Sequence, residues 1–342
     1  MTNLLRASRE LFRRTPDETF PSLEIFHQHF QWQKEQSTEV WQPPRTLQAR
    51  PIGGQRLLLD AGGDGTYEMN DWSFGQLCRL SGIARDTVNR LTPETAAQVF
   101  AETLPRGQKP LQLFTLGGNL RSIHAASYTR LYNADLLDVV QEVAGDFQPP
   151  PAGLNGATGL YGGEQDMFCF LIDPAGWTEI DGEAFAPGFF LWNSEVGCRS
   201  VGIETFWFQA ICQNHIVWDA VEVVEFSRKH TTNVHEALSE IRRAIGALVH
   251  KRDQRRDGFF KAIRQAMQTT LGNDAEEVQK VLSQTGVARS LAKEAITMAQ
   301  DNGRFTVFAM VDALTRIARR MVNAGERLAV DQKAAQLLTL AT

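Results

Sequence analysis

The sequence predicts an α+β protein with a central antiparallel sheet, helices on one side of it, and a C-terminal helical region. Three observations carry this. Beyond Pro110 apolar residues alternate with period two in consecutive short runs separated by turns, as half-buried strands require. Asp71 to Leu104 and Ser227 to Thr342 repeat instead at helical spacing. A composition of 43% hydrophobic and 22% charged residues over 342 positions is ordinary for a globular chain and supplies a sizeable core. Three zones follow: an N-terminal arm at 1–54, an α+β core domain at 55–226, and a helical region at 227–342.

The arm begins with Arg6, Arg9, Arg13 and Arg14 beside Leu4, Leu5, Leu11 and Phe12, the pattern of a short amphipathic helix. Thr15-Pro16 interrupts it, and Pro43-Pro44 ends the aromatic segment holding Phe20, Phe26, Phe30, Trp32 and Trp41. So much apolar area cannot stay in water without cost, at about 25 cal/mol per Å². It covers its own domain or a neighbour's, and a homo-oligomer is expected, as a ring or an open helical array.

In the core, a helix starts near Asp71, with Asp71 or Ser73 as cap, and turns at Gly82. A second helix spans Arg85–Leu91. A third opens with Thr92 as cap and Pro93 at its first position. Leu111, Leu113 and Thr115 alternate up to Gly117-Gly118-Asn119, and Leu120–Ala125 returns, which predicts a hairpin. Asn133–Val143 reads as a helix stopped by Pro149-Pro150-Pro151. Strands are expected at Ala157–Gly162, Asp166–Ile172, Ala186–Glu195, Arg199–Cys212 and Ile216–Val224. In the last zone Ala237, Ile241, Ala244, Ile245 and Leu248, then Phe259, Phe260, Ile263 and Met267, keep helical spacing.

No apolar run approaches the roughly 18 residues needed to cross a bilayer, and Met1–Arg6 leads into no apolar signal core. A cytoplasmic protein without membrane contact is expected, its four widely spaced cysteines being reduced thiols. Cys212-Gln213-Asn214-His215 offers two metal ligands, but no second pair completes a site. Nucleophile, P-loop and Rossmann patterns are missing, so neither catalytic residues, nor a metal, nor a cofactor is expected. Gln76–Leu91 mimics a helix-turn-helix, but Asp86 near the start of its second helix would face phosphate. The basic residues are more informative. Arg228 to Arg264 holds ten basic and four acidic residues, a local balance of +6 in a chain whose net charge is −5. Lys251 and Arg255, like Arg252 and Arg256, are spaced to lie along one helical stripe.

The most aromatic stretch, "FLWNSEVGCRSVGIETFWFQAICQNHIVW" (Phe190–Trp218), carries Val201, Ile203, Thr205, Trp207, Gln209 and Ile211 on one strand face. Gly202, Glu204, Phe206, Phe208, Ala210 and Cys212 lie on the other. Polar clusters at Asn193-Ser194-Glu195 and Gln213-Asn214-His215 flank this ladder.

"NSEVGCRSVGIETFWFQAICQNHIVW" resembles the "NSEVG…S…C-N-G-I-V" signature of phage and plasmid proteins in the domain of unknown function 932 family. "QLCRLSGIARDTVNRLTPETAAQVF" (Gln76–Phe100), "LRSIHAASYTRLYNADLLDVV" (Leu120–Val140), Lys229-His230-Thr231 and "VFAMVDALTRIARR" (Val307–Arg320) extend the resemblance. Two departures stand out. The "C-N-G" element appears as Cys212-Gln213-Asn214-His215, and the expected "S-D-R-Y" appears as Ala126-Ser127-Tyr128-Thr129-Arg130, without its aspartate. Any catalytic role of that aspartate would be missing here. The resemblance implies a mobile-element setting among replication, recombination and anti-restriction functions. The outline is also similar to phage single-strand annealing recombinases, by architecture alone.

The expected function is therefore binding of single-stranded DNA by a non-enzymatic mobile-element protein that anneals strands as an oligomer. Phosphates would follow Arg242, Arg243, Lys251, Arg252, Arg255 and Arg256. Bases would lie near Trp192, Asn193, Arg199 and Asn214. Three alternatives remain open: a duplex-binding regulator using Gln76–Leu91, a metal-dependent nuclease near Glu195, Cys212 and His215, and a protein-binding factor directed against host defence.

Overall fold

Strand pairing divides the chain into two sheets rather than one. The structure, a computed structural model, describes residues 11–53, 56–150, 159–180, 183–209, 214–217, 226–228, 230, 233–250, 252–300 and 305–341. The smaller sheet has six strands: β2 (Ser37–Gln42), β3 (Gln48–Ile52), β4 (Arg56–Asp60), β5 (Thr66–Met69), β6 (Leu111–Leu116) and β7 (Asn119–Ala125). Their order is β2-β6-β7-β5-β4-β3, and β5 runs parallel to β7. The larger sheet has eight: β1 (Glu18–Thr19), β8 (Leu160–Gly162), β9 (Met167–Ile172), β10 (Thr178–Ile180), β11 (Glu183–Asn193), β12 (Val201–Gln209), β13 (Asn214–Val217) and β14 (Phe226–Arg228). All of its pairings are antiparallel.

The helices are α1 (Leu23–Gln36), α2 (Asp71–Leu80), α3 (Arg85–Val88), α4 (Pro93–Thr103), α5 (Asn133–Val143) and α6 (Glu236–His250), then α7 (Arg252–Gln268), α8 (Ala275–Gln284), α9 (Arg289–Gln300), α10 (Val307–Ala318) and α11 (Ala324–Leu338). The α+β class and the C-terminal helical region are as the sequence predicts, and α5 falls on the expected residues. The hairpin β6–β7 turns at Gly117, whose φ of 55° suits glycine. The cap of α2 is Asn70 rather than the expected Asp71 or Ser73. Its side chain accepts from Ser73 N at 2.8 Å while Ser73 Oγ accepts from Asn70 N at 3.0 Å, a reciprocal capping box.

Helices cover both faces of the large sheet, not one. The alternation read from the sequence explains why: both of its faces are apolar. Leu191, Val201 and Ile203 pack with Phe26 and Phe30 of α1, Leu137 of α5 and Ile241 of α6. Farther along that face, Trp207 stacks on Phe259 of α7, with ring centroids 4.4 Å apart. On the opposite face Phe168, Phe170, Phe190, Phe206 and Phe208 lie under Ala324 and Leu328 of α11. The described part of the aromatic stretch, through Phe208, is thus the buried middle of a sheet and its following turn.

Residues 18–52 are not a separable arm. β1 adds to the large sheet beside β8, β2 pairs with β6, and β3 pairs with β4 across the expected boundary at 54/55. Phe20, Phe26 and Phe30 are buried within their own chain, while Trp32 and Trp41 remain about half exposed. α3 is a single turn of four residues, too short for a recognition helix, and its Arg85 pairs with Asp71 at 2.9 Å.

Candidate functional site

The two sheets meet at the turn that follows β11. Asn193, Ser194 and Glu195 are all buried. Glu195 Oε2 accepts from Arg121 Nη1 of β7 at 2.6 Å, and Oε1 accepts from the backbone N–H of Asn133, the first residue of α5, at 2.8 Å. Arg130 Nη1 donates to the Glu195 carbonyl, its Nη2 to Gln112 Oε1 at 3.0 Å, and its Nε to Glu39 Oε1 at 3.0 Å. Gln112 Nε2 closes the loop onto Glu39 Oε2 at 3.0 Å. Phe114 lies beneath both guanidiniums, 3.4 Å from Arg130 and 4.8 Å from Arg121.

Local backbone geometry holds this hub in place. Ser194 Oγ accepts from Cys198 N at 2.8 Å and donates to the Gln165 carbonyl at 2.5 Å, closing the turn. Gly197 has φ of 74°, and a Cβ there would come within 2.8 Å of His124 Cε1, so the turn requires glycine twice over. The Asn193 amide donates to the Leu131 carbonyl and to Asn133 Oδ1. The Tyr128 hydroxyl donates to the carbonyl of Glu195 at 3.0 Å.

Three rings stack beside the hub. His124 lies 3.7 Å from Tyr128 at 6°, and His230 lies 5.4 Å from its other face. Burial, with the nearby Arg130 charge, pushes His124 down to about 3. Burial also lowers His230, to about 4, and raises the Tyr128 phenol. His124 Nε2 has no partner among the described residues. The backbone of Thr129 and of Arg199 approaches the His230 ring, but neither of its nitrogens makes a hydrogen bond of good geometry. Both imidazoles are therefore neutral in the fold, whereas the unfolded chain binds their protons below about pH 6.5. Stability should fall on acidification from about pH 6.5, by roughly 1.4 kcal/mol per pH unit for each histidine. Urea midpoints between pH 4 and 7 would show it, and H124F with H230F, which keeps the stack, should remove that acid dependence. An unchanged profile in the double variant would refute this assignment.

A second polar cluster lies on the opposite side of the large sheet. Arg199 Nε pairs with Asp166 Oδ2 at 2.7 Å, and Arg14 Nη2 bridges Asp166 at 3.1 Å and Asp17 at 3.2 Å. Asp17 Oδ2 in turn accepts from Ala324 N at 2.8 Å, capping α11. Within α11, Arg327 donates to the Tyr161 hydroxyl at 2.9 Å and lies 3.7 Å from Asp331, which is 1% exposed. Burial pushes Asp331 up to about 7; Arg327 opposes the rise and Glu204 adds to it.

The expected base-contact residues do not form a surface. Trp192 is 6% exposed and Asn193 is fully buried, its amide committed as above. Polar residues at a strand end read as ligand contacts in the sequence because their partners, Leu131 and Asn133 for Asn193, lie far away along the chain. Arg199 is one-third exposed but held by Asp166. Asn214 sits opposite Gln209 in β13, with its side chain outside the described residues. Arg242 pairs with Glu142 of α5, and Arg243 is exposed. Arg252, Arg255 and Arg256 lie on α7 with side chains outside the described residues, as is Lys251 altogether. Arg121, Arg130 and Tyr128 were not anticipated. The available signal was an arginine inside the alternating strand "NLRSIHA", a residue type seldom buried unless paired.

Glu195 and His215 do not make a catalytic pair. His215 pairs with Phe208, six residues along β12 from the Gly202–Trp192 pair, and Glu195 lies beyond Trp192 at the other end. At ~3.3 Å per strand residue this separation is at least about 20 Å. Cys212 lies outside the described residues. Among the described residues no group of three or more His, Cys, Asp and Glu is placed to share a metal ion, and no helix is long and apolar enough to cross a membrane.

Fold and site together define an α+β protein in which a buried carboxylate–guanidinium hub fastens a mixed sheet to an antiparallel one. The chain belongs to the family described as Domain of unknown function (DUF932), whose match covers residues 122–315, over half its length. The match begins inside β7 and ends inside α10, taking in Tyr128, Arg130 and Asn193–Glu195. No curated protein and no solved structure matches the chain.

Proposed function

We propose that the protein binds single-stranded DNA along the exposed face of α6 and α7, as a cytoplasmic protein of a phage or plasmid that anneals strands as a homo-oligomer. The observation that carries this reading is the local charge of +6 from Arg228 to Arg264 in a chain of −5. Arg243, Lys261 and Arg264 are exposed on these helices. Such a track gains affinity by releasing counterions from phosphates and reads no sequence. The burial of Trp192 and Asn193 removes them from base contact, so the preference for single strands rests on their flexibility, which lets successive phosphates follow the two helices where a stiff duplex cannot. A one-turn α3 weakens the alternative of a duplex reader.

The expected result is tighter binding of a dT strand than of a blunt duplex of equal length, measured by fluorescence anisotropy. Replacing Lys251, Arg252, Arg255 and Arg256 by Ala should weaken binding and flatten the salt slope by roughly 0.7 per lost contact. Equal or tighter duplex binding, or an unchanged slope, would overturn the reading.

A further inference from the structure

Sheet edges carry unpaired backbone donors and acceptors, and soluble proteins blunt them. In the large sheet β1, β10, β14 and β13 are two to four residues long, and β13 is covered by α10 and α11. In the small sheet β3 contains Pro51, which has no N–H to offer, and α4 packs against it. The other edge of that sheet is β2. It has six residues, "STEVWQ", with neither proline nor lysine. β6 is the strand paired with it, and further contacts to its side chains come from Asp64, Thr46 and Arg130.

The side chains of β2 do not guard it either. The carboxylate of Glu39 is turned toward Arg130 and Gln112, so its charge is satisfied within the chain. Trp41 is 46% exposed, and Trp32 on the preceding helix is 54% exposed. Among the described residues an open backbone ladder thus lies beside the large aromatic side chain of Trp41.

We propose that β2 pairs antiparallel with β2 of a second copy around a two-fold axis, joining the small sheets of two protomers into one. A two-fold axis normal to the sheet pairs residues of the same face, so either Glu39 or Val40 lies on it. With Glu39 on the axis two carboxylates would stand opposite each other, which is unfavourable. With Val40 on the axis valine meets valine, Glu39 faces Trp41 of the second copy, and Thr38 faces Gln42. Self-pairing satisfies both edges at once and closes the assembly, as isologous contacts do. The strand's own register therefore favours a second copy over an unrelated peptide. This gives the oligomer of the proposed function a two-fold contact in place of a head-to-tail one. It does not depend on nucleic-acid binding, so either can fail alone.

Sedimentation of the full chain without DNA at micromolar concentration should give twice the 38.2 kDa chain mass. W41K, which places a charge at the edge, should weaken the dimer at least tenfold with an unchanged far-ultraviolet circular dichroism spectrum. V40C, mildly oxidised and digested, should yield a peptide cross-linked from position 40 to position 40, and this decides the register even if W41K misfolds. A monomer at every concentration, a folded W41K that keeps the dimer, or a dimer without the 40-to-40 cross-link would each overturn the proposal.

Discussion

Replacing Glu195 by Ala should destabilise the protein by about 3–5 kcal/mol, because it strands Arg121 in a dry interior. Glu195 is 1% exposed and Arg121 7% exposed, and they meet at 2.6 Å. The same change removes the acceptor for the Asn133 N–H, at a further cost of about 1 kcal/mol. The ion pair itself need not stabilise the fold, since its Coulomb gain is set against the desolvation of two charges. The double variant R121M with E195L removes both charges and keeps most of the volume. It should therefore lose less stability than E195A alone, and urea unfolding of the wild type, R121M, E195L and the double variant measures the coupling. If the double variant were as unstable as the sum of the two single changes, the hub would not be an electrostatic joint.

Asp331 should show the opposite behaviour: D331N should stabilise the protein at pH 8, by on the order of 2–4 kcal/mol. The folded carboxyl is raised to about 7 from its usual 3.8, so between those values the folded chain holds a proton that the unfolded chain has lost. Stability from this group is complete below about pH 4, declines as pH rises, and is gone above 7. An amide cannot ionise, so the advantage of D331N should shrink toward nothing as pH falls to 4. The groups that face Asp331 are Arg327 on its own helix and Glu204 on β12, the latter held by Gln332 at 3.0 Å. In the wild type this slope opposes the acid loss from His124 and His230. Thermal melts of both proteins from pH 4 to 8 test the sign; a D331N that gained nothing at pH 8 would show that the buried carboxyl is adequately paired by Arg327.

Much of the local structure was legible because it depends on near neighbours. α5 and the β6–β7 hairpin follow from caps, glycines and periodicity within a dozen residues. The assignment of Val201, Ile203 and Trp207 to one face and Phe206 and Phe208 to the other also holds in the packing. What could not be read is pairing at long range. The parallel register of Glu68 with Asn119 and the pairing of Glu18 with Gly162 leave no local trace, so two sheets looked like one and woven strands looked like an arm. The hub was misread for the same reason. From the sequence Asn193 and Glu195 read as polar residues needing partners outside the chain, because nothing near them in sequence announces Arg121 or Arg130. The basic helices are the reverse case: their charge is visible in the sequence at once, and the fold leaves Arg243, Lys261 and Arg264 at the surface.

The pairing of β1 with β8 has a consequence during synthesis. Glu18 leaves the ribosome long before Gly162, its strand partner, exists. At roughly 5–20 residues per second, that gap is on the order of ten seconds. Through it Phe20, Phe26 and Phe30 have neither the α5 surface nor the large sheet to cover them. The nascent chain must carry its most aromatic helix uncovered while the rest is being made, so its yield in a cell should depend on holdase chaperones and on growth temperature more than the stability of the finished fold would suggest.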